Sequence, residues 1–187
     1  MLDDNVLAFP RWKEIFDELE ATGKPFFYKQ GVDLRLITRD KAEAFQRAKY
    51  RGEITVALDR IEDAQLFARK AEIFREYCDK KARCYILAGF YEHGVDAIKS
   101  ILQRVDVLSR FDFVPYLMRF ADCYEDEFGP VFAHLAAWTN QPAFYKKLSA
   151  VEFLEKRPNK RAAALIATIK DEEVKRLLNK RFWRSNK

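Results

Sequence analysis

The stretch Ile54-Thr55-Val56-Ala57-Leu58-Asp59 decides the fold class of this chain. Its first five residues form a short β-branched run, typical of a strand that is buried on both faces of a parallel sheet, and Asp59 ends the run. About 30 residues later, Cys84-Tyr85-Ile86-Leu87-Ala88 forms a second run, which ends at Gly89. Apolar residues recur at helical spacing between the two runs. This order predicts a parallel strand–helix–strand unit.

The same alternation continues on both sides of this unit. Towards the amino terminus, residues 26–37 predict another strand, and Leu2 stands where a still earlier strand would end. Towards the carboxyl terminus, residues 111–118 predict a last strand, which Pro115 places at a sheet edge or a bulge. Helices are expected at about 10–22, from Thr38 to Gly52, at 62–80 and at 95–108. We therefore predict an α/β fold: a partial (β/α) barrel of about five parallel strands with helices outside.

Beyond Arg119 the alternation of strands and helices ends. Residues 128–138 have helical spacing, Asn140-Gln141-Pro142 breaks it, and residues 160–178 predict an amphipathic helix or helix pair. We divide the chain into a partial barrel, residues 1–145, and a C-terminal helical extension, residues 146–187.

Composition and charge exclude several classes of protein. The chain has 187 residues, of which 49% are hydrophobic and 34% charged, so we expect a folded domain rather than a disordered or fibrous chain. No apolar run is long enough to cross a bilayer, and no basic segment precedes an apolar stretch at the start, so we expect a cytoplasmic protein without membrane contact. The net charge of +5 gathers at residues 156–187.

Polar residues stand where the predicted strands end, and ligands of parallel-sheet folds sit at the carboxyl ends of strands. Asp4 and Asn5 suit a cation or a cofactor, or else a helix N-cap. Arg35 is a planar two-pronged donor for a carboxylate or ribose, unless it is held in an internal ion pair. Asp59 is likewise either a binding residue or a member of an internal ion pair. The candidate binding residues are Asp4, Asn5, Gln30, Asp33, Arg35, Asp59, Gly89 and Arg119.

Metal and nucleophilic sites have little support in the sequence. His93 and His134 are the only histidines and lie far apart, without the ligand spacing of a zinc site. Cys78, Cys84 and Cys123 are odd in number and unevenly spaced, which predicts free thiols rather than a disulfide framework. We therefore predict no metal ligands and no catalytic residues.

Several segments resemble consecutive strand ends of the radical S-adenosylmethionine (radical SAM) family, particularly its cobalamin-binding branch. The resemblance covers residues 1–145. It implies a partial barrel of parallel strands, S-adenosylmethionine as cofactor, and a [4Fe–4S] cluster that cleaves it to a 5′-deoxyadenosyl radical. The segments that carry it are Leu2-Asp3-Asp4-Asn5, residues 30–36, 54–63 and 83–90, and further residues 115–119 and 136–142, which resemble the end of the same barrel and the helix after it.

The resemblance also implies roles for three candidates, and it has one large departure. Arg35 falls near the cofactor's ribose and carboxylate, Asp59 near the end of the fifth strand, and Gly89 where a backbone approaches the adenine. The family holds its cluster with a Cys-x3-Cys-x2-Cys loop, which is absent here, as is the family's glycine-rich segment after the second strand. The resemblance therefore implies the carboxyl-side part of a radical SAM barrel, related to enzymes but not active alone.

A second hypothesis is a non-catalytic interaction or assembly module that uses its sheet edge and its basic C-terminal helix. Open parallel sheets have unpaired edges that must be covered, so we expect either a homodimer or a complementary chain that carries the cluster motif. The basic end with Phe182 and Trp183 is the best place for nucleic acid, although a solvated helix end is the more common meaning of such a segment.

Overall fold

The computed structural model describes residues 5–183, which fold around a three-stranded parallel sheet. The strands lie side by side in chain order and are β1 (Ile54–Ala57), β2 (Ala82–Ala88) and β3 (Phe113–Arg119). Parallel neighbours need a crossover connection, and one helix supplies each of them: α3 (Ala64–Tyr77) follows β1, and α4 (Gly94–Arg110) follows β2. The predicted α/β class is confirmed.

The remaining helices of the described chain lie before and after this unit. Helices were expected at 10–22, from Thr38 and at 128–138, and each is present. Of the two alternatives for residues 160–178, the helix pair is the one observed, and the two short helices at Pro142–Tyr145 and Ala150–Lys156 were not predicted. The remaining helices are α1 (Trp12–Ala21), α2 (Arg39–Arg47), α5 (Gly129–Thr139), α6 (Pro142–Tyr145), α7 (Ala150–Lys156), α8 (Lys160–Thr168) and α9 (Glu172–Leu178).

The sheet has fewer strands than the five predicted, and the described residues close no barrel. Instead of a strand, residues 26–37 contain a single parallel bridge, from Phe26 to Tyr50, and a 3-10 turn at Leu34–Leu36. Turn chemistry explains this, because the Asp33 side chain accepts a hydrogen bond from the Arg35 N–H at 2.9 Å and so closes the turn. The other missing strand, expected to end at Leu2, lies outside the described residues.

The two faces of the sheet differ in burial. Along β2, Cys84 and Ile86 are buried and Tyr85 and Leu87 are half-buried. The buried face packs against the helices; on it, Phe113 of β3 contacts the rings of two α3 phenylalanines at 5.5 and 5.8 Å. The expectation that β1 is buried on both faces is wrong, because every second position of this small sheet faces away from the helical layer.

Both edges of the sheet are covered. At the β3 edge, the Leu117 N–H donates to Asn140 Oδ1 at 2.7 Å, and Asn140 Nδ2 donates back to the Leu117 carbonyl at 3.0 Å. Pro115 faces the same outer edge, where it needs no N–H donor, so its predicted edge position is confirmed. At the β1 edge, the Val32 N–H donates to the Thr55 carbonyl at 2.8 Å. Neither edge is free to add a strand at these points.

The carboxyl-terminal helices share one hydrophobic core with the helices that cover the sheet. Trp138 of α5 is fully buried and donates to the Leu148 carbonyl at 3.0 Å. Helix α9 packs against α4, where Lys99 makes ion pairs with Asp171 and Glu173 at 3.1 and 3.0 Å. Within residues 5–183, no helix has the length and apolar character needed to cross a membrane.

Candidate functional site

A cavity of about 600 Å³ opens at the carboxyl end of β1. One wall is the turn before α2, a second is the end of β1, and a third is Tyr91 from the loop after β2. Gly89 and Arg119 do not line it, and Asp4 lies outside the described residues. The candidates that the fold brings together in this cavity are Asn5, Gln30, Asp33, Arg35 and Asp59.

Asp33 and Arg35 form a bidentate ion pair within one turn. Arg35 Nε donates to the two carboxylate oxygens at 3.0 and 3.1 Å, and Nη2 donates at 2.8 Å. Burial alone raises the pKa of Asp33, but the hydrogen bonds from Arg35 outweigh it and the pKa is lowered. The internal ion pair anticipated for this segment is therefore present, as a local pair on the cavity wall. The exposed part of the Arg35 guanidinium still faces solvent.

Asn5 supports the same turn from the amino-terminal side. Its Oδ1 accepts a hydrogen bond from the Asp33 N–H at 3.4 Å. It also stands at the N-cap position of the 3-10 turn Val6–Ala8, but its side chain makes no cap bond there. Asn5 therefore fixes the position of the Asp33–Arg35 pair.

Asp59 is held at the end of β1 by a buried arginine, Arg104 of α4. Arg104 is 0% exposed, and its Nη1 donates to the carbonyls of Asp59 at 2.7 Å and Leu87 at 2.9 Å, which joins the ends of β1 and β2. Burial raises the pKa of the Asp59 carboxyl group, and the charge of Arg104 only partly opposes this rise. Asp59 is therefore a half-buried carboxylate on a rigid support.

The cavity carries an excess of negative charge. Its two arginines are neutralised, because Arg35 pairs with Asp33 and Arg60 pairs with Glu62 at 3.4 Å. Two further carboxylates of the lining, Asp59 and Asp63, make no ion pair with any residue in 5–183. The charge of Arg104 offsets Asp59 only in part, and carboxylates without a direct ion pair favour a cationic ligand and disfavour phosphate groups.

Aromatic side chains form the part of the rim next to β2. Tyr91 is 49% exposed; its ring stacks edge-on against Phe90 at 4.7 Å, and the Arg60 guanidinium lies over it at 5.2 Å. Tyr85 of β2 also lines the cavity. An exposed ring beside polar groups is suited to contact with the flat face of a heteroaromatic ligand.

Gly89 and Arg119 lie at the carboxyl ends of β2 and β3 but serve packing. Gly89 has a φ of 72°, and a Cβ atom there would lie 2.3 Å from Cys123 Sγ. Arg119 stacks over the ring of Tyr124 at 4.8 Å. Within the described residues, the predicted row of strand ends is thus divided between the cavity and a neighbouring aromatic patch.

Arg104 and Tyr91 are site residues that the strand-end argument did not identify. Arg104 lies three residues after Ile101 and four before Leu108, both of which are buried, so a charged side chain interrupts the apolar stripe of α4. That interruption is a sequence signal for a buried, hydrogen-bonded charge. Tyr91 carries no such signal, because its loop position becomes part of the cavity only in the folded chain.

The cysteines do not fit an iron–sulfur cluster. All are buried and unpaired, on three separate elements: Cys78 after α3, Cys84 in β2 and Cys123 in the turn Ala121–Tyr124. Burial raises the pKa of each thiol, whereas cluster ligands are thiolates. No group of three His, Cys, Asp or Glu side chains in residues 5–183 is arranged to hold a metal ion.

No family model, curated protein or solved structure matches this chain significantly. The indications of function are therefore in the cavity at the end of β1. It combines carboxylates that make no direct ion pair with a residue in 5–183, one bidentate ion pair with an exposed guanidinium edge, and an aromatic rim.

Proposed function

We propose that this chain binds S-adenosylmethionine in the cavity at the carboxyl end of β1, as one wall of a radical SAM-type site, and that it does not cleave the cofactor alone. The observation that carries the proposal is the pair of carboxylates, Asp59 and Asp63, which make no direct ion pair with a residue in 5–183 and lie in a cavity that has an aromatic rim. The residues that led to the family resemblance supply most of the cavity's polar wall.

The chemistry of S-adenosylmethionine complements this lining. The molecule carries a sulfonium and an ammonium group, and carboxylates attract both. It also carries one carboxylate, for which the exposed edge of the Arg35 guanidinium is a suitable donor. Its adenine offers a planar face to the ring of Tyr91. A nucleoside triphosphate fits less well, because its phosphates would face Asp59 and Asp63.

Cleavage of the cofactor requires a reduced cluster with an open iron site, and the cysteines of this chain do not fit one. We therefore assign binding and orientation to these residues and no redox step. The Asp33–Arg35 pair and Arg104 fix the backbone and charges of the wall before ligand arrives, which limits the ordering cost of binding.

Isothermal titration with S-adenosylmethionine tests the proposal. We expect Asp59→Asn and Asp63→Asn each to weaken binding about tenfold, because each removes one negative charge near the cation. The matched control is Asp96→Asn, at an exposed position in the first turn of α4, which should leave the affinity unchanged. Equal affinity in all four proteins, or no binding by the wild-type chain at millimolar cofactor, would refute the assignment.

The alternative function is an interaction module. It has less support at the sheet edges, which are one of the two surfaces that the sequence predicted for it. The sheet edges are covered by Val32 and Asn140. In the basic C-terminal segment, Lys180 pairs with Asp106 and Arg181 pairs with Glu152. Six other basic residues there make no ion pair with a residue in 5–183 and leave positive charge for nucleic acid: Lys156, Arg157, Lys160, Arg161, Lys170 and Arg176. An interaction surface of this protein is better sought on the face of the sheet than at its edges.

A further inference from the structure

The face of the sheet that turns away from the main helical layer is only partly covered by the described residues: Val114, at its amino-terminal end beside Trp183, is buried. We call it the open face. Its other side chains are half-buried or exposed, and its centre is an aromatic pair, Tyr85 and Tyr116, with ring centroids 5.5 Å apart. The guanidinium of Arg83 lies 5.5 Å from the Tyr116 ring. The open face consists of Thr55, Ala57, Arg83, Tyr85, Leu87, Val114, Tyr116 and Met118.

Exposed large apolar side chains gather around this face. Phe27 lines a depression with Thr55, Arg83 and Tyr85 at the amino-terminal end of the face. Phe90 and Phe120 stack at 4.8 Å at the carboxyl ends of β2 and β3, next to the strand that carries Met118. Contiguous exposed apolar surface of this kind marks an interaction site rather than ordinary solvent-facing surface.

The residue types of the open face are those of a protein–protein interface. Tyrosine, phenylalanine, methionine and arginine are enriched in such interfaces, and lysine and acidic residues are depleted at their centres. The open face has no lysine and no acidic residue. Because Val32 and Asn140 occupy each sheet edge at one residue, Thr55 and Leu117, we place the occupant across the face and not along an edge.

Charge is distributed unevenly along the strand direction. At the amino-terminal end of the sheet, Arg51 and Lys81 are exposed, and at the carboxyl end Asp122, Glu125 and Glu127 are exposed. None of these five side chains makes an ion pair with another residue in 5–183. The carboxyl end of the molecule is therefore acidic, whereas the amino-terminal end is basic around Arg51 and Lys81 but also carries the exposed carboxylates of Asp79 and Asp112.

We propose that the open face is the interface between two copies of this chain, packed face to face with their strands antiparallel. The two-fold axis lies in the interface plane and runs perpendicular to the strands. It places the acidic end of each copy opposite the basic end of the other copy. Two-fold interfaces must be self-complementary, and this face carries both halves of the charge pattern. Nucleic acid is a poorer occupant, because its phosphates would meet the acidic end.

The geometry identifies the residues nearest the axis. Ala57, Tyr85 and Tyr116 are register partners across the three strands and lie in one row at the middle of the face. An axis along this row places each of these residues opposite its own copy. Ala57 and Tyr85 also line the cavity, so the partner copy would lie over one wall of it. Sedimentation without cofactor therefore tests the dimer separately from the proposed cofactor site.

Sedimentation velocity of the full chain with charge-swap variants is the first test. We expect a concentration-dependent dimer, and we expect Arg51→Glu and Glu125→Arg each to raise its dissociation constant about tenfold. The dissociation constant of the double variant should be within about threefold of the wild-type value, since the double variant restores opposite charges across the interface. The matched control Arg69→Glu, at an exposed position on α3, should have no effect. A wild-type chain that stays monomeric at hundreds of micromolar overturns the proposal.

Cysteine cross-linking is the second test and gives the orientation. Tyr85→Cys should form an intermolecular disulfide under copper–phenanthroline oxidation, whereas Ala137→Cys, at an exposed position on α5, should not. The native cysteines are buried and supply little background. Circular dichroism confirms that each variant is folded. A folded Tyr85→Cys variant that does not cross-link, or one that cross-links no faster than Ala137→Cys, contradicts the face-to-face arrangement, as does a monomer that instead binds added nucleic acid.

Discussion

Asp59, which we propose to contact the ligand, is unfavourable for folding in its charged form. Burial raises the pKa of its carboxyl group in the folded chain, so the native state holds this proton more tightly than the unfolded state does. Stability from this group is present at acidic pH and decreases as the pH rises from the unfolded pKa of about 3.9 to the raised native value. A charged group whose burial lowers the stability of the fold is typical of a functional site.

We expect Asp59→Asn to be more stable than wild type at pH 7, because the variant has no charge to bury. The advantage should disappear as the pH falls towards 3, where the wild-type carboxyl group is protonated in both states. Urea unfolding of the two proteins at a series of pH values measures this difference. A stability difference that does not change with pH would show that the Asp59 charge is not penalised in the fold.

Gly89 makes a second prediction at this scale. A Cβ atom at this position would overlap Cys123 Sγ, and an alanine would have to adopt the positive φ of Gly89. Gly89→Ala should therefore destabilise the chain by more than about 2 kcal/mol. Gly52 has a similar φ of 84°, but a Cβ atom there would have no neighbour within 4 Å, so Gly52→Ala should cost only about 1 kcal/mol. Chemical denaturation of both variants separates overlap from backbone strain, and equal losses would show that overlap contributes nothing.

Arg104 is the third residue whose role is testable. Its guanidinium satisfies strand-end carbonyls that would otherwise be buried without donors, so Arg104→Met should destabilise the chain by roughly 2–4 kcal/mol. The exposed control Arg69→Met should change stability by less than about 0.5 kcal/mol. Thermal or urea unfolding checks both values, and a neutral Arg104→Met would show that packing alone holds the ends of β1 and β2.

At the scale of elements, the strand runs that ended at clear signals were predicted correctly. β1 ends before Asp59 and β2 before Gly89, and helices with long apolar stripes, such as α4, were predicted to within a few residues. The strand predicted for residues 26–37 is absent because the Asp33 side chain and the positive φ of Gly31 stabilise a turn that competes with a strand. Local hydrogen bonds from short polar side chains were given too little weight beside the apolar alternation.

The β3 edge provides the prediction at this scale. Asn140 replaces a neighbouring strand with one donor and one acceptor to Leu117, so Asn140→Ala should destabilise the fold by about 1–3 kcal/mol and promote aggregation through the exposed edge. Asn140→Asp keeps the acceptor and loses the donor, so its effect should be intermediate. Urea unfolding and light scattering measure the two effects. If Asn140→Ala behaves as wild type, the side chain does not protect this edge.

At the scale of the whole molecule, the site was predictable only where it follows the strands in sequence. Four cavity residues were predicted because they stand beside apolar runs: Gln30, Asp33, Arg35 and Asp59. Gly89 and Arg119 also stand at the ends of apolar runs, but they do not line the cavity. Tyr91 lines the cavity from a loop, and Arg104 of α4 holds the Asp59 carbonyl behind it, and both positions follow from tertiary packing. The open face was also missed, since β1 looks in sequence like a strand buried on both sides.

The whole molecule thus combines a helical layer on one face of the sheet, an acidic cavity at its carboxyl end and an exposed aromatic face on the other side. The central claim is that the cavity selects its ligand by positive charge. S-adenosylhomocysteine shares the adenine, ribose and amino-acid groups of S-adenosylmethionine but lacks the sulfonium charge.

Titration of the wild-type chain with these two ligands is therefore the most direct measurement. We predict that S-adenosylmethionine binds about tenfold more tightly than S-adenosylhomocysteine, and that Asp59→Asn removes most of this preference. Equal affinity for the two ligands, or tighter binding of S-adenosylhomocysteine, would contradict the claim.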